Sequence, residues 1–155
     1  MKGTTIAAAL GIFAIGMSSS LQAQIKTNKE SLGAAAKAVW IDDVGSLQKM
    51  VEKGLRVDVP LAGGYTLLHH AATKNAHKCA EYLIKHGCSI NARTDVTGFT
   101  ALHFCALFGN EIDSKLLIAA GASIDRRSND GLTPFDVAKQ KNFPKVMAIL
   151  RATNH

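Results

Sequence analysis

The side chains most able to do chemistry in this sequence are its histidines and cysteines. The six histidines are His69, His70, His77, His86, His103 and His155. A helix that binds a metal ion commonly places two histidines four residues apart, and no pair here has that spacing. The sequence therefore predicts no metal site. A carrier of a small ligand or metal that uses His70, His77 and His86 remains an alternative.

The three cysteines are predicted to be buried and unreactive. They are Cys79, Cys88 and Cys105, and no C-x-x-C pair is present. A buried cysteine behaves as a small apolar side chain. Helical rise separates Cys79 from Cys88 by about 13 Å, which is too far for a disulfide. A disulfide between Cys105 and either of the other two remains open.

Catalytic and nucleic-acid-binding patterns are missing from the sequence. It contains no G-x-S-x-G nucleophile motif and no glycine-rich phosphate loop. The 155 residues are 47% apolar, and the net charge of +6 is scattered without five consecutive Lys or Arg. That composition indicates a globular protein and does not favour nucleic-acid binding. We predict no catalytic residues, no cofactor and no nucleic-acid partner.

The first 23 residues are typical of a cleaved signal peptide. Lys2 precedes the apolar run Ile6–Met17, and small and polar residues lead to a cleavage site after Ala23. Twelve residues rise about 18 Å as a helix, which is short of the ~30 Å hydrocarbon core. We therefore expect export without a membrane anchor, with residues 24–30 as a linker. A buried N-terminal helix is the alternative.

Two series of glycines reveal an internal repeat. Gly64, Gly98 and Gly131 are separated by 34 and 33 residues. A second series, Gly54, Gly87 and Gly121, is separated by 33 and 34 residues. Two independent series with one period predict a repeat architecture.

Each repeat is predicted to hold two helices. Thr66, Thr100 and Thr133 are candidate N-caps of the first helix, and Pro134 fits its first position. Small residues such as Ala71 and Ala106 allow that helix to approach its neighbours. The second glycine series then suits left-handed caps at the end of the second helix.

These motifs resemble the ankyrin repeat, whose pattern begins G-x-T-P-L-H-x-A-A. It is represented here by residues 64–72 (GYTLLHHAA) and 98–103 (GFTALH). The resemblance implies an all-α solenoid over residues 31–155, with repeats at about 31–63, 64–97, 98–130 and 131–155. It also implies that His69 and His103 tie neighbouring loops together. The first repeat lacks T-x-L-H and the last has Asp136 in place of His, as expected of end caps.

The resemblance further implies a concave surface that binds another protein. Aromatic residues are concentrated at the positions that would line it, with basic residues beside them. The predicted partner-binding residues are Trp40, Tyr65, Lys74, Phe99, Leu107, Phe108, Leu132 and Lys141, and Ile41 accompanies Trp40 in a register that is inferred. The alternative is that Tyr65 and Phe99 pack over the next repeat and that Trp40 closes the N-terminal cap.

The sequence thus predicts a non-catalytic protein-binding module, a monomer on its own, exported to a bacterial periplasm or secreted. Two narrower roles remain open. One is an inhibitor or immunity protein against a toxic enzyme. The other is an accessory protein to an envelope or oxidative-stress enzyme.

Overall fold

A computed structural model of the chain describes residues 19–153, which form eight α-helices in four antiparallel pairs. The helices are α1 Ser19–Trp40, α2 Val44–Glu52, α3 Leu67–Lys74, α4 His77–Lys85, α5 Ala101–Phe108, α6 Glu111–Ala119, α7 Pro134–Gln140 and α8 Pro144–Ala152. A short 3-10 turn spans Ala62–Gly64, and no strand occurs within residues 19–153. The prediction of an all-α helical array is confirmed.

Within each pair, one residue in the left-handed conformation reverses the chain. These residues are Asp42, Asn75, Gly109 and Asn142, with φ of 54°, 56°, 72° and 58°. Asn, Asp and Gly tolerate positive φ better than other residues. The four turns follow the same repeat spacing, so the period extends to the terminal pairs as well.

Threonine capping boxes start three of the first helices. Thr66 and Thr100 pair with His69 and His103, and Thr133 pairs with Asp136. Each box satisfies amide groups that the first helical turn leaves without partners. Asp136 therefore replaces the histidine in capping but is too short to tie down a following loop.

The helices form two layers. The inner layer contains α1, α3, α5 and α7, and the outer layer contains α2, α4, α6 and α8. Neighbouring inner helices pack more closely than neighbouring outer helices, because buried Ala71, Ala72, Cys105, Ala106 and Ala138 hold few side-chain atoms between the backbones. Since the inner layer is more tightly spaced, the array curves and the inner layer lies on its concave side.

Hairpin-like loops connect successive pairs, and backbone bonds join each loop to the next. The amide of Asp95 donates to the carbonyl of Gly63 at 2.9 Å, and that of Asn129 donates to Thr97 at 2.9 Å. Gly64 has φ of 74°, and a Cβ there would lie 2.9 Å from the Asp95 nitrogen. This glycine is therefore required both for its backbone conformation and for the close approach of the next loop. Glycines of the second series have φ of 97°, 77° and 92° at the ends of α2, α4 and α6.

The N-terminal helix differs from the predicted boundaries. Residues 24–30, expected to be a linker, continue α1 in the structure. This segment contains no Pro or Gly, and its Gln, Lys and Glu residues are good helix formers, so the packed part of α1 propagates backwards through it. The predicted apolar run of the signal lies outside the described residues. Within residues 19–153, no helix is long and apolar enough to cross a bilayer.

Candidate protein-binding surface

The eight predicted binding residues fall into an exposed group and a half-buried group. Trp40, Lys74, Phe108 and Lys141 are exposed at the C-terminal ends of the inner helices. Tyr65, Phe99, Leu107 and Leu132 are only partly accessible and pack against the core. The structure thus brings all eight to the inner layer and its loops but leaves fewer of them free to contact a partner.

The rings of Phe99 and Tyr65 pack against other aromatic side chains, Phe99 within its own repeat and Tyr65 also across to the next one. Phe99 stacks on His103 with ring centroids 5.0 Å apart, and it meets Phe104 edge-on at 5.6 Å. Tyr65 lies 5.6 Å from the same Phe104 ring. Phe104 is buried and occupies the repeat position that His70 holds one repeat earlier. Substituting Phe99 would therefore disturb the fold as well as the surface.

His69 and His103 connect their own helix to the next loop. His69 Nδ1 accepts from the Thr66 amide at 3.0 Å, while Nε2 lies 3.1 Å and 3.2 Å from the carbonyl oxygens of Ala92 and Phe99. His103 repeats the arrangement, with Nε2 at 3.0 Å from the Leu132 carbonyl. Burial lowers the pKa of His69 to about 4. The ring is therefore neutral near pH 7, with its proton on Nε2, where it donates to the loop.

Trp40 is exposed but held in place by His70 and Lys74, and these three residues together with Tyr65 are called the Trp40 cluster. Its indole nitrogen donates to His70 Nδ1 at 3.0 Å, and Lys74 Nζ lies 4.7 Å from the ring centroid. Tyr65 packs against the His70 ring, at 5.8 Å between centroids. The Trp40 side chain remains 53% exposed. An aromatic side chain that is already ordered loses little conformational entropy when a partner covers it.

Two more apolar side chains extend the exposed surface along the array. Ile41, in the turn between the two helices of the first pair, is 75% exposed, and Phe108 in the third pair is 47% exposed. Counted from the left-handed turn residue, Ile41, Lys74, Phe108 and Lys141 occupy one repeat position. We call these four residues the inner row. Exposed aromatic and apolar side chains are common at interaction sites, and in this row lysines separate them.

The histidines proposed for a ligand or metal carrier are not brought together. His77 begins α4 and its Nδ1 donates to the Asn75 carbonyl at 3.1 Å, whereas His86 follows the end of α4 and stacks on Tyr82 at 4.0 Å. His70 belongs to the Trp40 cluster on the inner layer. Across residues 19–153, no three His, Cys, Asp or Glu side chains are grouped to hold a metal ion.

The three cysteines are free and buried. Burial raises the pKa of the Cys79 thiol to about 12 and that of Cys88 to about 11, and it raises the pKa of Cys105 well above the ordinary value. Because the thiolate is the reactive species, these residues are poor nucleophiles. The structure does not contain the disulfide that the sequence left open for Cys105.

Asp113 is a buried acid that the sequence did not single out. Its side chain is fully buried in the first turn of α6, and neither carboxylate oxygen has a hydrogen-bond partner among the described residues. Its pKa is raised to about 6, chiefly by burial; His77 opposes the shift and Asp42 contributes to it. Cys79 and Val146 occupy the equivalent position in the neighbouring repeats, so the repeat alignment was the signal that marked this carboxylate as unusual.

Tandem antiparallel helix pairs with threonine capping boxes and interlocked loops define a helical repeat protein of the ankyrin type. The family model "Ankyrin repeats (3 copies)" matches residues 32–128. The chain belongs to the ankyrin repeat family. Ankyrin repeats are protein–protein interaction modules, and the repeat fold itself is not catalytic.

The curated relatives are mostly far larger proteins. The chain is 32% identical to the nuclear factor NF-kappa-B p105 subunit of Gallus gallus over 62% of its length and 10% of the relative. It is 35% identical to a putative palmitoyltransferase ZDHHC13 of Danio rerio over 73% of its length and 18% of the relative. Its match to a putative ankyrin repeat protein, FPV031, of Fowlpox virus is 33% identical over 67% of its length and 30% of the relative. The chain thus spans less than a third of these relatives, and the similarity concerns their repeats.

Proposed function

We propose that this chain is a non-catalytic protein-binding module that holds a partner against its inner layer. The observation that carries the proposal is the ordered, exposed apolar surface formed by Trp40, Ile41 and Phe108, which lies on the concave side of the array. Exposed aromatic side chains in such surfaces commonly supply a large part of the binding free energy.

The proposal includes four repeats, of which the first and last act as caps, and a monomer in the absence of the partner. Its support is that the terminal helix pairs carry the same left-handed turns as the central pairs. Thr133 and Asp136 keep the capping box of the last repeat even though the loop-tying histidine is replaced.

The proposal also places the protein outside the cytoplasm, in a bacterial periplasm or secreted. This part is supported by the sequence of residues 1–23 alone. Cell fractionation of the host that expresses the full chain tests it. Recovery with the periplasmic markers supports export, and recovery with the cytoplasmic markers contradicts it.

Affinity capture with a matched pair of variants tests the binding surface. The full chain, carrying a C-terminal tag, is expressed in its native host as the wild type and as Ile41→Glu/Phe108→Glu. The control is Ile112→Glu, because Ile112 is 57% exposed on outer helix α6. Circular dichroism and thermal unfolding confirm that all three proteins are folded.

We expect a stoichiometric partner with the wild type and with Ile112→Glu, and its loss with Ile41→Glu/Phe108→Glu. Equal capture by all three proteins would place binding elsewhere. The affinity then separates the two narrower roles. Sub-nanomolar, stoichiometric binding to a toxic enzyme indicates an inhibitor or immunity protein, whereas reversible micromolar binding to an envelope or oxidative-stress enzyme indicates an accessory protein.

A further inference from the structure

The helices of the inner layer carry mainly positive charge. From residue 31 onward, Asp136 is the only acid within the inner helices, and it is bonded to the amide and hydroxyl of Thr133 at 2.9 Å and 2.7 Å. The same layer carries exposed lysines at Lys37, Lys74, Lys139 and Lys141. None of these four lysines forms an ion pair with another described residue.

The rest of the molecule does not share this imbalance. In the outer layer, Lys85 pairs with Glu81 at 2.8 Å and Lys145 pairs with Glu111 at 3.3 Å. The loops between the helix pairs carry both positive and negative charges, since in sequence Asp95 closely follows Arg93 and Asp130 closely follows Arg127. Asp42 borders the inner row, but its carboxylate accepts from the Cys79 amide at 2.9 Å and is occupied in capping α4. The outer helices carry six basic and four acidic residues, whereas the inner layer from residue 31 onward carries four lysines against one acid, so the excess of positive charge is larger in the inner layer.

The inner row alternates apolar and basic side chains along the array. Its order is Ile41, Lys74, Phe108, Lys141, with one residue from each helix pair. Packed helices lie about 10 Å apart, so successive members of the row are about 10 Å apart. A complementary partner must therefore present apolar and acidic side chains alternately, on one face, at steps of about 10 Å.

The spacing of about 10 Å between members of the inner row fits a partner helix and not a partner strand. Seven residues of α-helix rise about 10 Å and complete nearly two turns, so residues seven apart share a face. A strand covers about 10 Å in three residues, and residues three apart point to opposite faces. An acidic amphipathic helix matches the row, and a straight strand does not.

We propose that the inner row binds an α-helix of the partner whose contact face alternates apolar and acidic residues every seven residues. This inference rests on the proposed function, because it names the chemistry of the segment that the inner layer holds. Apolar side chains of the helix contact Ile41 and Phe108, beside Trp40. Its carboxylates contact Lys74 and Lys141.

A panel of fluorescein-labelled synthetic helices tests the proposal against the full chain. Each peptide has four heptads in an Ala/Gln background, with leucine on the contact face of the first and third heptads. The contact face of the second and fourth heptads carries Glu, Gln or Lys in three matched peptides. A fourth peptide has the composition of the Glu peptide in scrambled order, and fluorescence anisotropy at 50 and 300 mM salt gives each affinity.

We expect the Glu peptide to bind about tenfold more tightly than the Gln peptide at 50 mM salt, because two exposed ion pairs contribute on that scale. Scrambling should remove the binding, and 300 mM salt should narrow the difference. Lys74→Glu/Lys141→Glu should reverse the preference in favour of the Lys peptide. Lys78→Glu/Lys115→Glu makes the same change of net charge on the outer layer and should keep the preference for Glu within twofold.

Equal loss of affinity for the Glu peptide in Lys74→Glu/Lys141→Glu and Lys78→Glu/Lys115→Glu would mean that binding depends only on the net charge of the protein. That result would overturn the proposal. Equal binding of the Glu and Gln peptides, abolished by Ile41→Glu/Phe108→Glu, would remove the acidic requirement and leave the proposed binding surface intact. Binding by none of the peptides would overturn the helical partner, and the capture experiment would still decide independently whether the surface binds a protein.

Discussion

Replacing Asp113 by asparagine should stabilise the protein above neutral pH and change its pH dependence. Asp113 is fully buried without a hydrogen-bond partner among the described residues, so ionisation of its carboxyl group is penalised in the folded state. Burial first, and the nearby Asp42 second, raise its pKa from 3.8 to about 6. Cys105 of α5 and His77 of α4 also face this carboxyl group, and His77 partly offsets the shift.

The sign follows from the folded pKa lying above the unfolded value. The folded state holds the Asp113 proton more tightly than the unfolded chain does. Ionisation of this carboxyl group therefore costs the folded state no stability below about pH 4 and its full amount above about pH 6. The shift from 3.8 to about 6 corresponds to about 3 kcal/mol, since one pKa unit is about 1.4 kcal/mol. As the pH rises from about 4 to about 6, ionisation of Asp113 should therefore lower the unfolding free energy of the wild type by up to about 3 kcal/mol.

Urea unfolding at intervals between pH 4 and pH 8 measures the effect. We expect the difference in unfolding free energy, Asp113→Asn minus wild type, to be smallest at pH 4 and to rise by about 3 kcal/mol at pH 8. The control is Asp125→Asn, an exposed site with the same change of charge, whose difference should stay within about 0.5 kcal/mol throughout. If the unfolding free energies of Asp113→Asn and the wild type differed by a constant amount from pH 4 to pH 8, Asp113 would not have a raised pKa in the folded state.

Four further predictions concern two glycines of the backbone, the cysteines and the N-terminus. Gly64→Ala should destabilise the protein by at least about 1 kcal/mol, because φ is 74° and the next loop lies against this position. Gly33→Ala should stabilise it by about 0.5–1 kcal/mol, because Gly33 is helical with open space around it, and thermal unfolding measures both variants. The buried cysteines should not react with a disulfide reagent at pH 8 until urea unfolds the chain, and rapid native labelling would contradict their raised pKa values. Mass spectrometry of exported protein should find Gln24 as the first residue, and an intact Met1 would remove the signal-peptide prediction.

The repeat architecture could be predicted from the sequence because its determinants are local. The glycine period, the threonine N-caps and Pro134 each act within a few residues of their own position. The extension of α1 through residues 24–30 was missed because polar composition indicated a linker. Helix propagation from a packed segment outweighed that composition, since no Pro or Gly interrupts it.

The surface was only partly predictable because the exposure of a side chain depends on how its neighbours pack in three dimensions, both within a repeat and between repeats. Phe99 occupies a position that faces a partner in the repeat pattern, yet His103 and Phe104 cover much of its ring. Trp40 is ordered by His70 and Lys74, thirty or more residues away in sequence. The burial of Asp113 likewise depends on contacts across the layers, and its one signal in the sequence is the repeat alignment, which puts Cys79 and Val146 at the same position.

Site-specific photo-crosslinking tests whether a partner binds against the inner layer. The photoreactive residue p-benzoylphenylalanine replaces Phe108 on the inner layer or Ile112 on the outer layer, four residues away and similarly exposed. The full chain is irradiated in its native host, and adducts are resolved by gel and mass spectrometry. We expect one dominant protein adduct from position 108 and none from position 112. An adduct from position 112 without one from position 108 would contradict this expectation.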